Sequence, residues 1–218
     1  MAISTYSELQ TAIASWLNRS DLAAQVPDFI ALAETRINRD LRAREQQVIV
    51  TTGASINTAF LALPGDFLEF KSFRITDVGG SAFELMLATP EQISAALAEN
   101  SVSNTPRFVT IIGDQFQLWP APEQTYVGSL AYVRKVPALS DAAPTNWLLS
   151  DAPDVYLYGA LMAAGPFLRD NEALVTFKAL FDEAIEAIRV GNKPVVGVLR
   201  TEFPQRGLQR RYSVYSDF

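Results

Sequence analysis

The spacing of apolar residues changes twice along this chain, and that change limits the fold more than any other feature. Apolar side chains recur every three or four residues near both ends, as in helices that bury one face, and alternate with polar residues in between, as in half-buried strands. We therefore predict an α+β fold. Its parts are a helical bundle domain of residues 1–46 and 146–191, an inserted antiparallel β-rich domain of residues 47–145, and an extended basic tail of residues 192–218.

The N-terminal part predicts two amphipathic helices joined as an αα-hairpin. Thr5 and Glu8 have the spacing of a capping box, which satisfies backbone N–H groups at a helix start. Pro27 suits the first turn of the second helix, because its missing N–H has no intrahelical partner there. The two apolar faces consist of Leu9, Ile13, Trp16 and Leu17, and of Phe29, Ile30, Ala33, Ile37 and Leu41.

The middle of the chain carries turn signals between short alternating runs. Gly53 predicts a hairpin between the runs on either side of it, and Gly113 with Asp114 predicts a second, tight one. Thr89 and Pro90 mark the start of a short helix. The predicted strands cover residues 48–50, 55–60, 67–75, 107–112, 115–119 and 127–133.

Two more helices are predicted before the tail. Asp151 or Asp154 can cap the first, whose apolar run, residues 155–168, is expected to kink or end at Gly165-Pro166. A membrane span takes about 20 residues, so we predict a buried helix, or one covered by a neighbouring subunit, and no membrane partner. The second helix ends at Gly191. Its buried face is predicted to hold Leu174, Phe177, Leu180, Phe181, Ala184, Ile185 and Ile188.

The composition excludes most catalytic and metal sites. The chain has no Cys and no His, so it has no disulfide, no Cys/His zinc site and no Ser-His-Asp triad. It also lacks the glycine and lysine pattern of a phosphate-binding loop. A net charge of −6 argues against general binding to nucleic acid. We predict no enzymatic activity, no catalytic residue, no cofactor and no metal; nearby acids such as Asp182, Glu183 and Glu186 are interpreted as a solvated helix face.

Four arginines, Arg36, Arg39, Arg42 and Arg44, cluster at the end of the second helix. Cations there offset the helix dipole, and Glu34, Asp40 and Glu45 are near enough in sequence to pair with them. We predict that this surface is solvated, or that it faces a neighbouring subunit or the central lumen of an oligomer. A DNA-facing role stays open.

The tail is basic on an otherwise acidic chain, with five basic and two acidic residues among residues 192–218. Arginine and aromatic side chains alternate in it, as in the hot spots of protein interfaces. We predict that it docks on a partner, and the alternative is a solubilising terminus that binds nothing. The predicted docking residues are Arg200, Phe203, Arg206, Arg210, Arg211, Tyr212, Tyr215 and Phe218.

Several short stretches occur in a distinctive order over about residues 3–190. They are Tyr6/Leu9/Ile13/Trp16, then PDFI at 27–30, Glu34, INR at 37–39, Leu41-Arg42, LPGDFLE at 63–69, GDQFQLWPAP at 113–122, Tyr132, PALS at 137–140, NWLL at 146–149 and PDVYLYGAL at 153–161. Together they resemble the phage adaptor (head–tail connector) family of short-tailed and related phages, the group that includes tail tubular protein A.

The resemblance implies a non-enzymatic structural virion protein. Members form a ring, usually a dodecamer, between the portal protein and the tail nozzle protein, and DNA crosses its lumen without specific contacts during genome ejection. The location implied is the head–tail interface of the virion, and the host cytoplasm before assembly. The resemblance also implies a bundle made of both terminal helix pairs, with the β part beside it.

Two other classes of function stay open on the residues alone. The first is a non-viral oligomeric α+β module that binds a small molecule or a protein. The second is an enzyme that works through carboxylates alone, such as a glycosidase, whose two acids lie about 5–10 Å apart in a cleft.

Overall fold

The computed structural model of the chain describes residues 3–52, 56–98, 105–168 and 171–191. Within these ranges it has six α-helices and seven β-strands, which confirms the predicted α+β class. The helices are α1 (Tyr6–Leu17), α2 (Val26–Asp40), α3 (Pro90–Ala98), α4 (Trp147–Asp151), α5 (Pro153–Leu168) and α6 (Asn171–Gly191). The strands are β1 (Gln47–Thr51), β2 (Phe60–Ala62), β3 (Phe67–Thr76), β4 (Ala82–Leu87), β5 (Phe108–Ile112), β6 (Gln115–Trp119) and β7 (Val127–Arg134).

Helices from both ends of the chain form one bundle, as predicted. α5 is its central helix and packs against α1, α2, α4 and α6. The Trp16 ring of α1 contacts Tyr158 of α5 and Phe177 of α6, with centroids 6.2 and 6.4 Å away. The bundle core contains Leu9, Ile13, Phe29, Ile30, Ala33, Ile37, Leu41, Phe181 and Ile185, all of them predicted core residues. The β part is therefore inserted between two halves of a shared core, while the domain boundaries themselves stay a prediction.

The local signals at the helix starts are also confirmed. The Thr5 Oγ1 atom accepts the Glu8 N–H at 3.3 Å, and the Glu8 carboxylate accepts the Thr5 N–H at 3.1 Å, which is the predicted capping box. Pro27 lies in the first turn of α2. These contacts join residues close in sequence, so local chemistry is enough to place both starts.

The sequence predicted that Gly165-Pro166 kinks or ends the helix. The end is wrong, because α5 continues to Leu168, and the kink stays a prediction. A Cβ on Gly165 would lie 3.0 Å from the Leu174 Cδ1 atom, so the missing side chain lets α6 approach α5 closely at this turn. Packing against α6 therefore supports the last helical turn around the proline. No helix in the described ranges is both long enough and apolar enough to cross a membrane.

The β part is one curled sheet with strand order β1-β7-β3-β4-β5-β6-β2. All of its strand pairs are antiparallel except β4 with β5, so the predicted antiparallel arrangement is corrected to a mixed sheet. The exception follows from α3, which lies between β4 and β5 in the chain and supplies the crossover that parallel neighbours need. The inner face carries a second core, including Phe73, Ile75, Leu85, Val109, Phe116, Leu118, Leu130 and Tyr132.

The hairpin predicted around Gly53, which lies outside the described residues, is wrong. β1 pairs with β7 and β2 pairs with β6, at opposite ends of the sheet. The chain passes between these ends where Ile56 and Tyr126 exchange backbone hydrogen bonds of 2.8 and 3.0 Å. The pairing of β1 and β2 at opposite ends of one sheet draws that sheet into a curl, so tertiary pairing overrides the local turn signal. The tight hairpin at Gly113 is confirmed by the β5–β6 register.

Candidate interaction surfaces

Arg36 lies where α2 meets α6. Its guanidinium carbon is 5.7 Å from the centroid of the Phe181 ring, and its Nε atom is 3.6 Å from the Asp40 carboxylate, one helical turn further on. The predicted pairing with Asp40 is therefore present. A cation over an aromatic face and beside a carboxylate helps to join the two helices.

A groove runs between α2 and α6, with α5 as its floor. Its volume is about 490 Å³. Cations stand along its sides, namely Arg36, Arg39 and Lys178, above an apolar floor of Met162, Ala163 and Pro166. The groove continues into a second one, lined in part by Arg39, Arg42 and Lys135. We call Lys178, Arg36, Arg39, Arg42 and Lys135 the cationic strip.

Arg42 connects the helical bundle to the sheet. Its guanidinium donates to the carbonyls of Asn38 and Leu41 at 2.9 and 2.6 Å, at the C-terminal end of α2. Its Nε atom donates to the Glu69 carboxylate of β3 at 3.2 Å. Hydrogen bonds from Lys71 first, and then from Arg42, lower the pKa of Glu69 below its ordinary value. Arg42 therefore offsets the α2 dipole, as predicted, and also contacts β3.

Arg44 is separate from the other three arginines. Its side chain is 80% exposed, and its one described ion pair, with the neighbouring Glu45, measures 3.5 Å. It lines neither groove. The structure thus brings Arg36, Arg39 and Arg42 onto one surface and leaves Arg44 beside it.

The segment between β7 and α4 is fastened to α2 by side chains. Asn38 accepts the Val136 N–H and Glu34 accepts the Leu139 N–H, each at 2.7 Å. The sequence predicted Glu34 as a possible partner of the nearby arginines, but no described ion pair includes it, and Asn38 was quoted only as part of a resemblance. Because their partners are 98 and 105 residues away, no local pattern could have assigned this contact.

The turn before β3 has a similar long-range anchor. The Tyr132 hydroxyl donates to the Asp66 carboxylate at 2.8 Å, and the Asp66 carbonyl accepts the Lys135 N–H at 2.7 Å. Burial, with the Asp66 contact added, raises the pKa of Tyr132 to about 12. The LPGD stretch is therefore a turn whose acidic residue holds the end of β7.

We expect Glu34→Gln to remove a loss of folding stability that grows as the pH rises. Burial raises the pKa of Glu34, so the folded protein disfavours its ionised form. The contribution of Glu34 to stability is then complete below its ordinary pKa and is lost as the pH rises through the raised value. Glutamine keeps the acceptor for Leu139 without the charge. Urea unfolding should show the variant gaining stability relative to wild type from about pH 4 to pH 7.

Glu8→Gln is the matched control for that measurement. Hydrogen bonds from Ser4 lower the pKa of Glu8, so its contribution should instead be present at neutral pH and be lost as the pH falls. A stability difference between wild type and Glu34→Gln that is the same at both pH values would contradict the prediction.

The acidic residues considered for a metal do not converge in the described ranges. No group of three or more Asp or Glu side chains there is arranged to hold an ion. Asp182, Glu183, Asp151 and Asp154 are all exposed, and no described ion pair includes them. The predicted docking tail, from Arg200 to Phe218, lies outside the described residues.

Comparison with known proteins gives one match over most of the chain. A family model described as SU10 adaptor protein matches residues 4–201. The matched range covers the bundle, the sheet and the first ten residues of the tail. A search of curated proteins found no match.

Proposed function

The chain belongs to the SU10 adaptor protein family, a phage adaptor family, and from this premise we propose that it forms a ring between the portal and the tail nozzle through which DNA passes. A phage adaptor is a structural component of the head–tail junction, where it assembles with portal and tail components. The predicted resemblance is thereby confirmed for the family, and the closer likeness to tail tubular protein A stays a prediction. The ring, its copy number of twelve and the passage of DNA belong to this proposal.

The cationic strip is the surface that supports intersubunit contact best. It lies on a chain of net charge −6, so it contrasts in sign with the rest of the molecule. Exposed acids without a described ion pair, such as Asp182 and Glu183 of α6, offer complementary charge on a second copy. A ring closes through one such contact repeated from subunit to subunit.

The groove is better suited to a protein neighbour than to DNA. Its floor is apolar, and nearby Leu32 of α2 and Phe167 of α5 are each 57% exposed. Exposed apolar side chains next to cations are typical of protein interfaces, whereas binding to a phosphate backbone depends on the cations alone. We therefore assign Arg36, Arg39 and Arg42 to the contact between subunits. Arg44 lines neither groove, so we assign it to the margin of that contact or to the lumen of the ring.

Residues 192–218 supply the contact with the portal in this proposal. The supporting observation is compositional, because interleaved arginines and aromatics can each contribute more than about 1 kcal/mol when buried in an interface. The docking residues proposed are Arg200, Phe203, Arg206, Arg210, Arg211, Tyr212, Tyr215 and Phe218. The protein acts by binding alone, without catalysis or cofactor.

The test is assembly of the purified protein on its portal, followed by mass photometry and negative-stain imaging. We expect Arg39→Glu to weaken subunit association by at least about tenfold, because it reverses a charge in the strip. Arg19→Glu is the matched control, since Arg19 is exposed and pairs only with Asp21 among the described residues. A chain that ends at Gly191 should fold but no longer dock on the portal.

Two results would overturn the proposal. If Arg39→Glu assembles as well as the wild type does, the cationic strip is not part of the subunit interface. Portal binding of equal affinity with and without residues 192–218 would show that the tail is not the contact.

A further inference from the structure

β1 leaves one edge of the sheet without a partner among the described strands. It pairs with β7 only. Thr52 donates its N–H to a carbonyl of β7 at 2.8 Å, and bonding alternates along an antiparallel pair, so the backbone groups of Gln47, Ile49 and Thr51 point away from β7. A row of backbone donors and acceptors of this kind is complemented by another extended strand.

This edge lacks the features that usually protect an edge strand. β1 reads QVIVT, with neither a charge nor a proline, and Ile49 is 75% exposed. β2, at the other end of the sheet, has only three residues, and its Phe60 carbonyl already accepts the Thr58 hydroxyl at 2.7 Å. β2 is therefore protected by its shortness, whereas the uncharged edge of β1 favours the addition of a strand.

The chemistry of β1 is the same when its sequence is read backwards. An antiparallel pair of two β1 strands centred on Ile49 places the two Ile49 residues opposite each other, Val48 opposite Val50, and Gln47 opposite Thr51. Apolar side chains then meet apolar ones, uncharged polar side chains meet each other, and like charges face each other nowhere along the strand. A second copy of β1 thus complements the first at every position.

We propose that two copies of the free protein pair through the outward edges of β1, antiparallel and related by a two-fold axis at Ile49. The outward backbone groups then oppose each other, so the two Ile49 residues exchange their N–H and carbonyl bonds. The Thr51 N–H of each copy donates to the Gln47 carbonyl of the other. The Gln47 N–H takes no part, because it already donates to the Arg44 carbonyl of its own chain.

The outer face of the sheet beside β1 leaves room for this contact. Next to Ile49 lie Ser129 and Ala131 of β7 and Ser72 of β3, which line a shallow cavity of about 130 Å³. These side chains are small, so they leave the edge uncovered and a second sheet can continue the first.

The pair is separate from the proposed ring and does not depend on it. A two-fold contact joins the same surface of both copies and stops at two, whereas a ring repeats a contact between two different surfaces. The cationic strip shares no residue with β1. The pair is therefore a state of the free protein, before it joins a ring.

Hydrogen exchange of the wild-type protein tests the proposal by NMR between about 10 μM and about 1 mM. At the high end we expect the N–H groups of Ile49 and Thr51 to exchange at least about tenfold more slowly than at the low end, because only the second copy covers them. The Val50 N–H points towards β7 and should not change, so it is the internal control.

Two results of that measurement would overturn the proposal. Slow exchange at Ile49 and Thr51 at every concentration would show that the edge is covered within one chain. Exchange that is equally fast at every concentration would show that the edge stays open.

Charged variants at Ile49 test the two-fold axis itself by sedimentation velocity. Ile49→Lys and Ile49→Glu each place like charges directly opposite each other, so each variant alone should be monomeric. An equimolar mixture of the two should dimerise with at least about tenfold higher affinity than either alone, because opposite charges then meet.

Val78→Lys is the matched control, since Val78 is 85% exposed and lies outside β1, in the turn between β3 and β4. It should dimerise as the wild type does. A mixture of the Ile49 variants that stays monomeric while Val78→Lys dimerises would contradict the two-fold axis at Ile49. The exchange measurement needs no variant, so it decides the matter if a charge at Ile49 prevents folding.

Discussion

Replacing Phe181 with alanine should lower the free energy of unfolding by about 3–5 kcal/mol, the usual range for truncating a fully buried phenylalanine. Phe181 is 1% exposed and lies at the meeting point of three helices. A Cβ on Gly159 of α5 would lie 3.1 Å from both the Phe181 ring and the Ala33 methyl group of α2, so the three residues are in close contact. Alanine would leave a cavity there and would also remove the aromatic partner of Arg36.

Phe177 and Val175 provide a graded control on the same helix. Phe177 is only partly buried, against Trp16, so its replacement by alanine should cost clearly less than that of Phe181, although sequence reasoning treated the two alike. Val175 is 69% exposed, and Val175→Ala should change stability by less than about 0.5 kcal/mol. Urea denaturation of the three variants is the measurement. Equal losses for Phe181 and Phe177 would contradict the assigned packing.

The helical half of the fold could be predicted because its signals are local. The capping box at Thr5, the proline in the first turn of α2 and the stripe that contains Phe181 each join residues within a few turns. The capping box and the proline are confirmed. Of the predicted buried face of α6, Phe181, Ala184 and Ile185 are buried, and Leu174, Phe177, Leu180 and Ile188 are only partly buried. What local signals could not provide was the extent of α5, because its last turn depends on packing between Gly165 and Leu174.

The sheet could be predicted only in part, for a physical reason. The alternating pattern specifies that a residue lies in a strand, but the partner of that strand is set by distant contacts. β5 and β6 pair across two residues, and their hairpin is confirmed. β1 and β2 are separated by a turn signal at Gly53, yet they pair with β7 and β6, whose residues come more than fifty positions later.

The candidate surface shows the same division. Arg36, Arg39 and Arg42 could be grouped from their spacing on one helix. The other cations of the strip, Lys178 and Lys135, come from distant parts of the chain, and only the packing of α6 and the segment after β7 brings them alongside. The roles of Glu34 and Asn38 were likewise invisible without the fold.

Asn146 lies at the end of the segment between β7 and α4, and its side chain makes three hydrogen bonds there. Its Oδ1 atom accepts the Leu149 N–H at 2.8 Å and caps α4. Its Nδ2 atom donates to the Pro137 carbonyl at 2.7 Å and to the Tyr156 hydroxyl at 2.6 Å. Tyr156 is fully buried, and this burial raises the pKa of its hydroxyl, so the group stays neutral and depends on a protein partner.

We expect Asn146→Ala to destabilise the protein by about 3–5 kcal/mol, because three buried groups lose their partner at once and each orphaned group costs about 1–3 kcal/mol before relaxation. Asn146→Asp separates the two roles. It keeps the acceptor for Leu149, but its ionised carboxylate cannot donate to Pro137 or Tyr156. Its deficit should therefore be largest at neutral pH and shrink in acid, where the protonated side chain regains one donor.

A double-mutant cycle with Tyr156→Phe identifies the source of the Asn146 penalty. If the unpartnered Tyr156 hydroxyl accounts for part of the loss, Tyr156→Phe should cost less in the Asn146→Ala background than in wild type, because the hydroxyl it removes is already without its donor. The coupling expected for two residues in direct contact is about 0.5–3 kcal/mol. Strictly additive losses would show that the hydroxyl finds another partner, and the penalty at Asn146 would then rest on the α4 cap and the Pro137 contact alone.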